Sequence, residues 1–122
     1  MGRITLKMTV KEYLLQYREM EKSAKYLFCR YEQLKDQDNS RARFFLEEWQ
    51  QTALDAIEFR QELFELFMSL PARISDLMID KYLESCTWKQ ICEITGLSYY
   101  QNNCDHREGL KMIQKLVPDL TL

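Results

Sequence analysis

The stretch Thr87-Trp88-Lys89-Gln90-Ile91-Cys92-Glu93-Ile94-Thr95-Gly96-Leu97-Ser98-Tyr99-Tyr100-Gln101 decides how the chain is read. Thr87 and Gln90, and again Ser98 and Gln101, stand three residues apart. At that spacing a Ser or Thr and a Gln satisfy each other's backbone N–H groups at a helix start. Between the two boxes, Gly96 supplies the left-handed angles on which helices commonly end, and Leu97 offers a buried turn position. A helix barely two turns long, with Trp88, Ile91, Cys92 and Ile94 as its apolar face, is followed at once by a longer one that runs to Val117, before Pro118. A short helix, a tight turn with Gly and a capped longer helix spell a helix-turn-helix, whose second helix can enter a DNA major groove.

Upstream, Pro71 lacks the N–H that a continuous helix needs and disfavours helical angles at Leu70, which places a boundary there. Ile74, Leu77, Met78 and Tyr82 then mark a third helix that ends near Glu84-Ser85. Before the boundary, Thr9 and Glu12 form another capping box, and Tyr13, Tyr17, Met20, Ala24, Leu27, Tyr31 and Leu34 recur at spacings of three and four. This predicts one long amphipathic helix over 10–35. After the turn-forming residues 36–40, the series Phe45, Leu46, Trp49, Ala53, Ala56, Ile57, Leu63, Phe64 and Phe67 predicts a second over 41–69. Two long helices joined so closely pack antiparallel. The expected fold is all-α: a long antiparallel helical hairpin over 8–70, then a helix-turn-helix module over 71–118. Met8-Thr9 reads as a second start, which makes Met1–Lys7 a lead segment.

With 46% hydrophobic residues, three Gly and two Pro, the 122-residue chain has the composition of a folded domain. Its formal charge is −2, and neither half is basic: residues 1–70 carry 11 Lys and Arg against 12 Asp and Glu, and residues 71–122 carry 6 against 7. Phosphate neutralisation supplies most non-specific DNA affinity, so this balance predicts modest, salt-sensitive binding. No apolar run approaches the ~20 residues of a membrane span, and no segment reads as a signal peptide. Both point to a cytoplasmic protein with reduced thiols. Gly-rich phosphate loops, His-Glu-x-x-His and Gly-x-Ser-x-Gly are missing, so no enzyme is expected. Carboxylates such as Glu47, Glu48, Glu62 and Glu65 fall on exposed helix faces.

The segment Tyr82–Ser98, continuing to His106 and Leu110, resembles the fourth region of sigma factors. It is closer still to short phage-encoded sigma-like regulators of the ArpU and RinA kind. Their pattern is an aromatic-Leu pair, Thr-Trp, an Ile three residues later, Gly-x-Ser, a helix carrying His, and a Leu. Met8–Leu14 also resembles the start of such proteins, and the likeness is strong over 77–116 and loose over 8–70. It implies a phage or prophage transcription regulator that binds promoter DNA in a bacterial host cell. Two departures stand on the reading helix: Asn102 replaces a β-branched residue, and Cys104 takes a place that is commonly basic. Over 98–117 the net charge is only +1. These features favour an alternative, an interaction module that occupies a host RNA polymerase or nuclease without strong DNA binding.

Ser98, Tyr99, Tyr100, Gln101 and Asn103 occupy the first turns of the reading helix, where Asn or Gln can pair with adenine. Of the side chains there, Tyr99 is the one expected to pack. Arg107 and Lys111 suit phosphates further along, and Lys89 could reach the backbone from the supporting helix. His106 shares a stripe with Leu110, Ile113 and Val117, which predicts a buried ring with a hydrogen-bond partner rather than a catalytic one. Cys86, Cys92, Cys104 and His106 lack any Cys-x-x-Cys clip, so neither a metal site nor another cofactor is expected. Tyr26, Phe28, Phe44, Leu54, Phe59 and Leu66 fall off the two stripes. This leftover apolar area calls for a cover: a second copy in a homodimer, RNA polymerase, or the C-terminal module itself.

Overall fold

In the computed structural model, which describes residues 4, 5 and 7–122, the chain is all-helical. The lead segment Met1–Lys7 lies partly outside the described residues. Thr9 Oγ1 accepts the Glu12 amide at 3.1 Å, and Glu12 Oε1 accepts the Thr9 amide at 3.0 Å. That reciprocal cap starts α1, Val10–Leu34. The Gln37 and Asp38 amides both turn back onto the Leu34 carbonyl, and Asp38 caps the Arg41 amide. α2, Asn39–Met68, leaves in the opposite direction: Tyr13 sets its ring 5.3 Å from Phe59, whereas Phe28 lies 5.0 Å from Trp49 and Arg30 stacks over Phe45.

Pro71 separates α2 from α3, Ala72–Met78, which widens into a π-turn over Ile79–Leu83. Ser85, in a left-handed conformation at φ 55°, turns the chain into α4, Trp88–Thr95, and α5, Tyr99–Leu116, follows. Tyr13, Leu14 and Tyr17 of α1 meet Phe59, Leu63 and Phe67 of α2 in a core that continues without a break into Ile74, Met78, Tyr82 and Ile113. Of the three covers expected for the leftover apolar surface, the C-terminal segment is thus in place over one half of the pair. The end of the chain joins in. Leu120 is buried, Val10 N donates to the Thr121 carbonyl at 2.8 Å, and Thr121 N donates to the Met8 carbonyl at 3.0 Å.

The apolar series of α2 needs correction. Phe59, expected off the stripe, is completely buried, whereas Ile57 is 65% exposed and Phe64 lies half open. Residues in a helix are turned by about 100° from one to the next, so Ala56, Phe59, Leu63 and Phe67 fall in one narrow sector. Ile57 and Phe64 stand about 60–80° outside it by the same geometry. Both sets obey spacings of three and four, and only the packing chooses between them. Ile94, placed on the apolar face of α4, is also exposed, because Ile91 alone of that helix is fully buried.

Candidate nucleic-acid interface

The second and third capping boxes both form. Thr87 Oγ1 accepts the Gln90 amide at 3.2 Å, and Ser98 Oγ accepts the Gln101 amide at 3.1 Å, with each Gln returning its oxygen to the cap residue's amide. Gly96 adopts φ 71° between them. α4 and α5 are therefore joined by a turn fixed by backbone chemistry at both ends. Ser98 and the Gln101 oxygen are engaged in holding it.

Asn102 is the inner clasp of this turn. It is buried, and its Oδ1 accepts the Thr95 hydroxyl at 3.2 Å while Nδ2 donates to the Ser98 carbonyl at 3.1 Å and the Leu97 carbonyl at 3.4 Å. Cys92 Sγ lies 3.5 Å from the same nitrogen. Asn102 thus lies off the outer surface of α5, and standing where the resemblance expects a β-branched residue takes nothing from that surface. Cys104 is half-buried, with Arg107 Nη2 3.5 Å from its sulfur. Among the described residues no three His, Cys, Asp or Glu side chains converge as metal ligands, and the four cysteines are free thiols.

Asn102, His106, Gly109 and Ile113 form the inward edge of α5. His106 Nε2 meets the Tyr82 hydroxyl at 2.7 Å, and its ring is flanked by Tyr82 and Trp88. Burial, and then the nearby Lys11 and Lys81 ammonium groups, push the His106 pKa down to about 4, so the imidazole is neutral at pH 7. Burial raises the Tyr82 phenol well above its ordinary range. The ring pair is a neutral, polar element of the core, as the stripe at His106 predicted. Gly109 lets α3 lie directly on α5: a Cβ there would run into Met78 Cε and come within 2.9 Å of Ile74 Cγ2.

The outer edge of α5 carries the residues expected to meet DNA. Tyr100 is 72% exposed; Arg107 and Lys111 are exposed, Asn103 is half-buried, and Lys89 is exposed on α4. Tyr99 leans on Trp88, ring centroids 5.7 Å apart, yet keeps more than half its surface in solvent. Among the described residues no carboxylate pairs with Lys89, Arg107 or Lys111 within 4 Å. No family model matches the chain, and no curated protein or solved structure is significantly similar to it. The assignment of this surface therefore rests on its own chemistry.

Three further cations belong beside it. Lys81 Nζ sits 4.7 Å from the Trp88 ring centre, Arg18 Nη2 donates to the Lys81 carbonyl at 3.3 Å, and Lys11 is close enough to act on both Lys81 and His106. Burial, then Arg18 and Lys11, lower the Lys81 pKa, as expected where like charges gather. Sequence reading missed this group because residues 11, 18 and 81 are brought together only by α1 packing on the π-turn. Carboxylates collect elsewhere: Asp76, Asp80 and Asp105 line a cleft with Ile94 and Leu97, where Asp105 holds Arg73 at 3.0 Å.

Proposed function

We propose that the chain is a hairpin-supported helix-turn-helix protein whose α4–α5 unit docks on duplex DNA, as in the phage sigma-like regulators it resembles. α5 is the reading helix. Tyr99, Tyr100 and Asn103 face the bases, Arg107 and Lys111 meet phosphates along the groove, and Lys89 with the Lys11, Arg18 and Lys81 group flanks the complex. One observation carries this reading: among the described residues Lys89, Arg107 and Lys111 stand exposed on α4 and α5 with no carboxylate within 4 Å, and Lys81, with Arg18 and Lys11 near it, sits over the Trp88 ring. A chain with a net charge of −2 thereby gains a face able to approach a polyanion. Among the described residues no helix is long and apolar enough to cross a membrane; a bacterial host's cytoplasm is the proposed setting.

Duplex binding followed by fluorescence anisotropy at about 50 mM salt tests this. Arg107→Glu and Lys111→Glu should each weaken binding and flatten its salt dependence, since each lost phosphate contact removes about 0.9 from the log–log slope. Binding unchanged in both variants would remove α5 from the interface.

Tyr99, Tyr100 and Ile94, all large and open on the same module, favour a second reading in which this unit grips a host protein such as RNA polymerase or a nuclease. In that case Tyr100→Ala abolishes capture of the partner from nuclease-treated lysate, and duplex DNA at low salt is left unbound.

A further inference from the structure

We propose that duplex DNA docked on α5 continues onto α1, where a row of cations, Lys11, Arg18, Lys22 and Lys25, holds phosphates that flank the groove; this rests on α5 being the reading helix. The four follow one another at intervals of seven, four and three residues. At about 100° per residue they fall within about 60° of the helix's circumference, and the four acids of α1, Glu12, Glu19, Glu21 and Glu32, all fall outside that sector. Lys11, Lys22 and Lys25 are exposed, and Arg18 is half-buried where it donates to the Lys81 carbonyl. The row is ~21 Å long at 1.5 Å per residue, and a duplex carries one charge per ~1.7 Å of its axis. Among the described residues the only carboxylate within 4 Å of these charges is Glu19, 3.5 Å from Lys22, with both side chains at least 66% exposed. A pair so open contributes little, and phosphate can replace it.

Position selects the occupant. Round α5 from its buried edge, Asp105 and the acidic cleft lie on one flank, whereas Tyr99, Asn103 and Arg107 lie on the other. On that second flank Tyr99 touches Trp88, Lys81 sits over the Trp88 ring, and Arg18 holds the Lys81 carbonyl. Lys11 is near enough to act on both Lys81 and His106. The row thus starts beside the reading face, and Lys22 and Lys25 carry it ~6 and ~10 Å past Arg18 along α1. Like charges gathered with so little compensation repel one another, and a polyanion that reaches them relieves the repulsion as it sheds its own counterions. Because the surface is continuous with the one assigned to duplex DNA, the same polyanion fits both.

Anisotropy titrations of the full chain with a labelled duplex of ~25 base pairs, over a salt series from about 50 mM, read the row separately from α5. The double variant Lys22→Glu/Lys25→Glu should raise Kd at least about tenfold at the lowest salt and reduce the log–log slope by about 1.8, the share of two phosphates. Its helical circular dichroism should be unchanged, because both side chains already stand in solvent. Glu19→Gln frees Lys22 and should tighten binding about twofold. Arg43→Glu makes the same change in net charge as Lys25→Glu, but from an exposed position on α2, and should leave Kd within about twofold. If Arg107→Glu weakens binding while the double variant binds as the wild type does, the row is overturned and α5 stands. A wild type that ignores duplex overturns both. Arg43→Glu as damaging as Lys25→Glu would show that net charge alone is felt, which also overturns the row. So would a double variant that loses phosphatidylserine vesicles and keeps duplex, since the row would then serve a membrane surface.

Discussion

Near the chain ends, α1 and α2 lie under α3, the π-turn and α5, and Tyr13, Leu14, Tyr17, Phe59, Leu63 and Phe67 are all removed from solvent. Toward the turn the same helices continue with the same kind of apolar stripe, yet Met20, Ala24, Leu27, Tyr31, Phe45 and Trp49 are only half-buried. Composition does not separate the two halves; the number of layers does. Two helices share one line of contact, and whatever lies beside that line stays wet until a third element arrives. The covered half can therefore hold neutral polar groups such as His106 and Asn102 in fixed geometry. The bare half buries only Leu34 and Ala42, beside the turn, and otherwise offers surface.

The widest gap between the halves should appear in a matched pair of truncations. Leu63→Ala, at a fully buried position, should cost about 3–5 kcal/mol from lost transfer and cavity formation, whereas Leu27→Ala, half in solvent, should cost about 1 kcal/mol. Urea unfolding at a concentration where the protein is monomeric measures both. Equal losses would show that the two halves are not differently covered.

Acid should loosen the covered half first. The folded pKa of His106, about 4, lies below its unfolded value of 6.5. The unfolded chain therefore binds the extra proton, and stability is present above pH 6.5 and lost as pH falls toward 4. The difference amounts to about 3 kcal/mol. His106→Gln should flatten that part of the pH–stability curve, and a curve of unchanged steepness between pH 6.5 and 4 would exclude His106 as its source. Gly109→Val comes next. Met78 and Ile74 leave no room for a branched side chain, so a loss of about 1–3 kcal/mol from overpacking is expected in thermal unfolding. Full stability would mean that α3 can retreat from α5.

Much of this was legible in advance, because it rests on short-range chemistry. Three capping boxes, the Gly96 stop and the Pro71 break lie within a few residues of the structures they create, and helix ends fell within about two residues of expectation. His106 followed from the stripe it shares with Ile113. What stayed hidden depends on long-range packing. The exchange of Phe59 for Ile57 and Phe64 needed the direction from which the third layer arrives. Asn102 read as a departure that weakens the DNA case because a one-dimensional sequence does not show which carbonyls it will find. The Lys11, Arg18 and Lys81 group joins residues up to 70 positions apart. Leu120 and Thr121, beyond Pro118, gave no periodic signal before they closed on Met8 and Val10.

The smallest effect tests where the two halves divide. Arg60 stands at that line: its guanidinium lies beside the Tyr17 ring, donates to the Leu83 carbonyl and pairs with Glu84. Both charged side chains are 40% or more exposed, so water and salt screen the pair, and Glu84→Gln should cost less than about 1 kcal/mol, less again at high salt. Arg60→Met removes in addition the donor to the Leu83 carbonyl and should cost more. Amide exchange locates that cost: protection should fall in the π-turn and at residues 59–67, while residues 20–31 and 45–53 exchange as before. Loss of protection through both stretches would mean that the helix pair opens as one unit and that Arg60 marks no boundary.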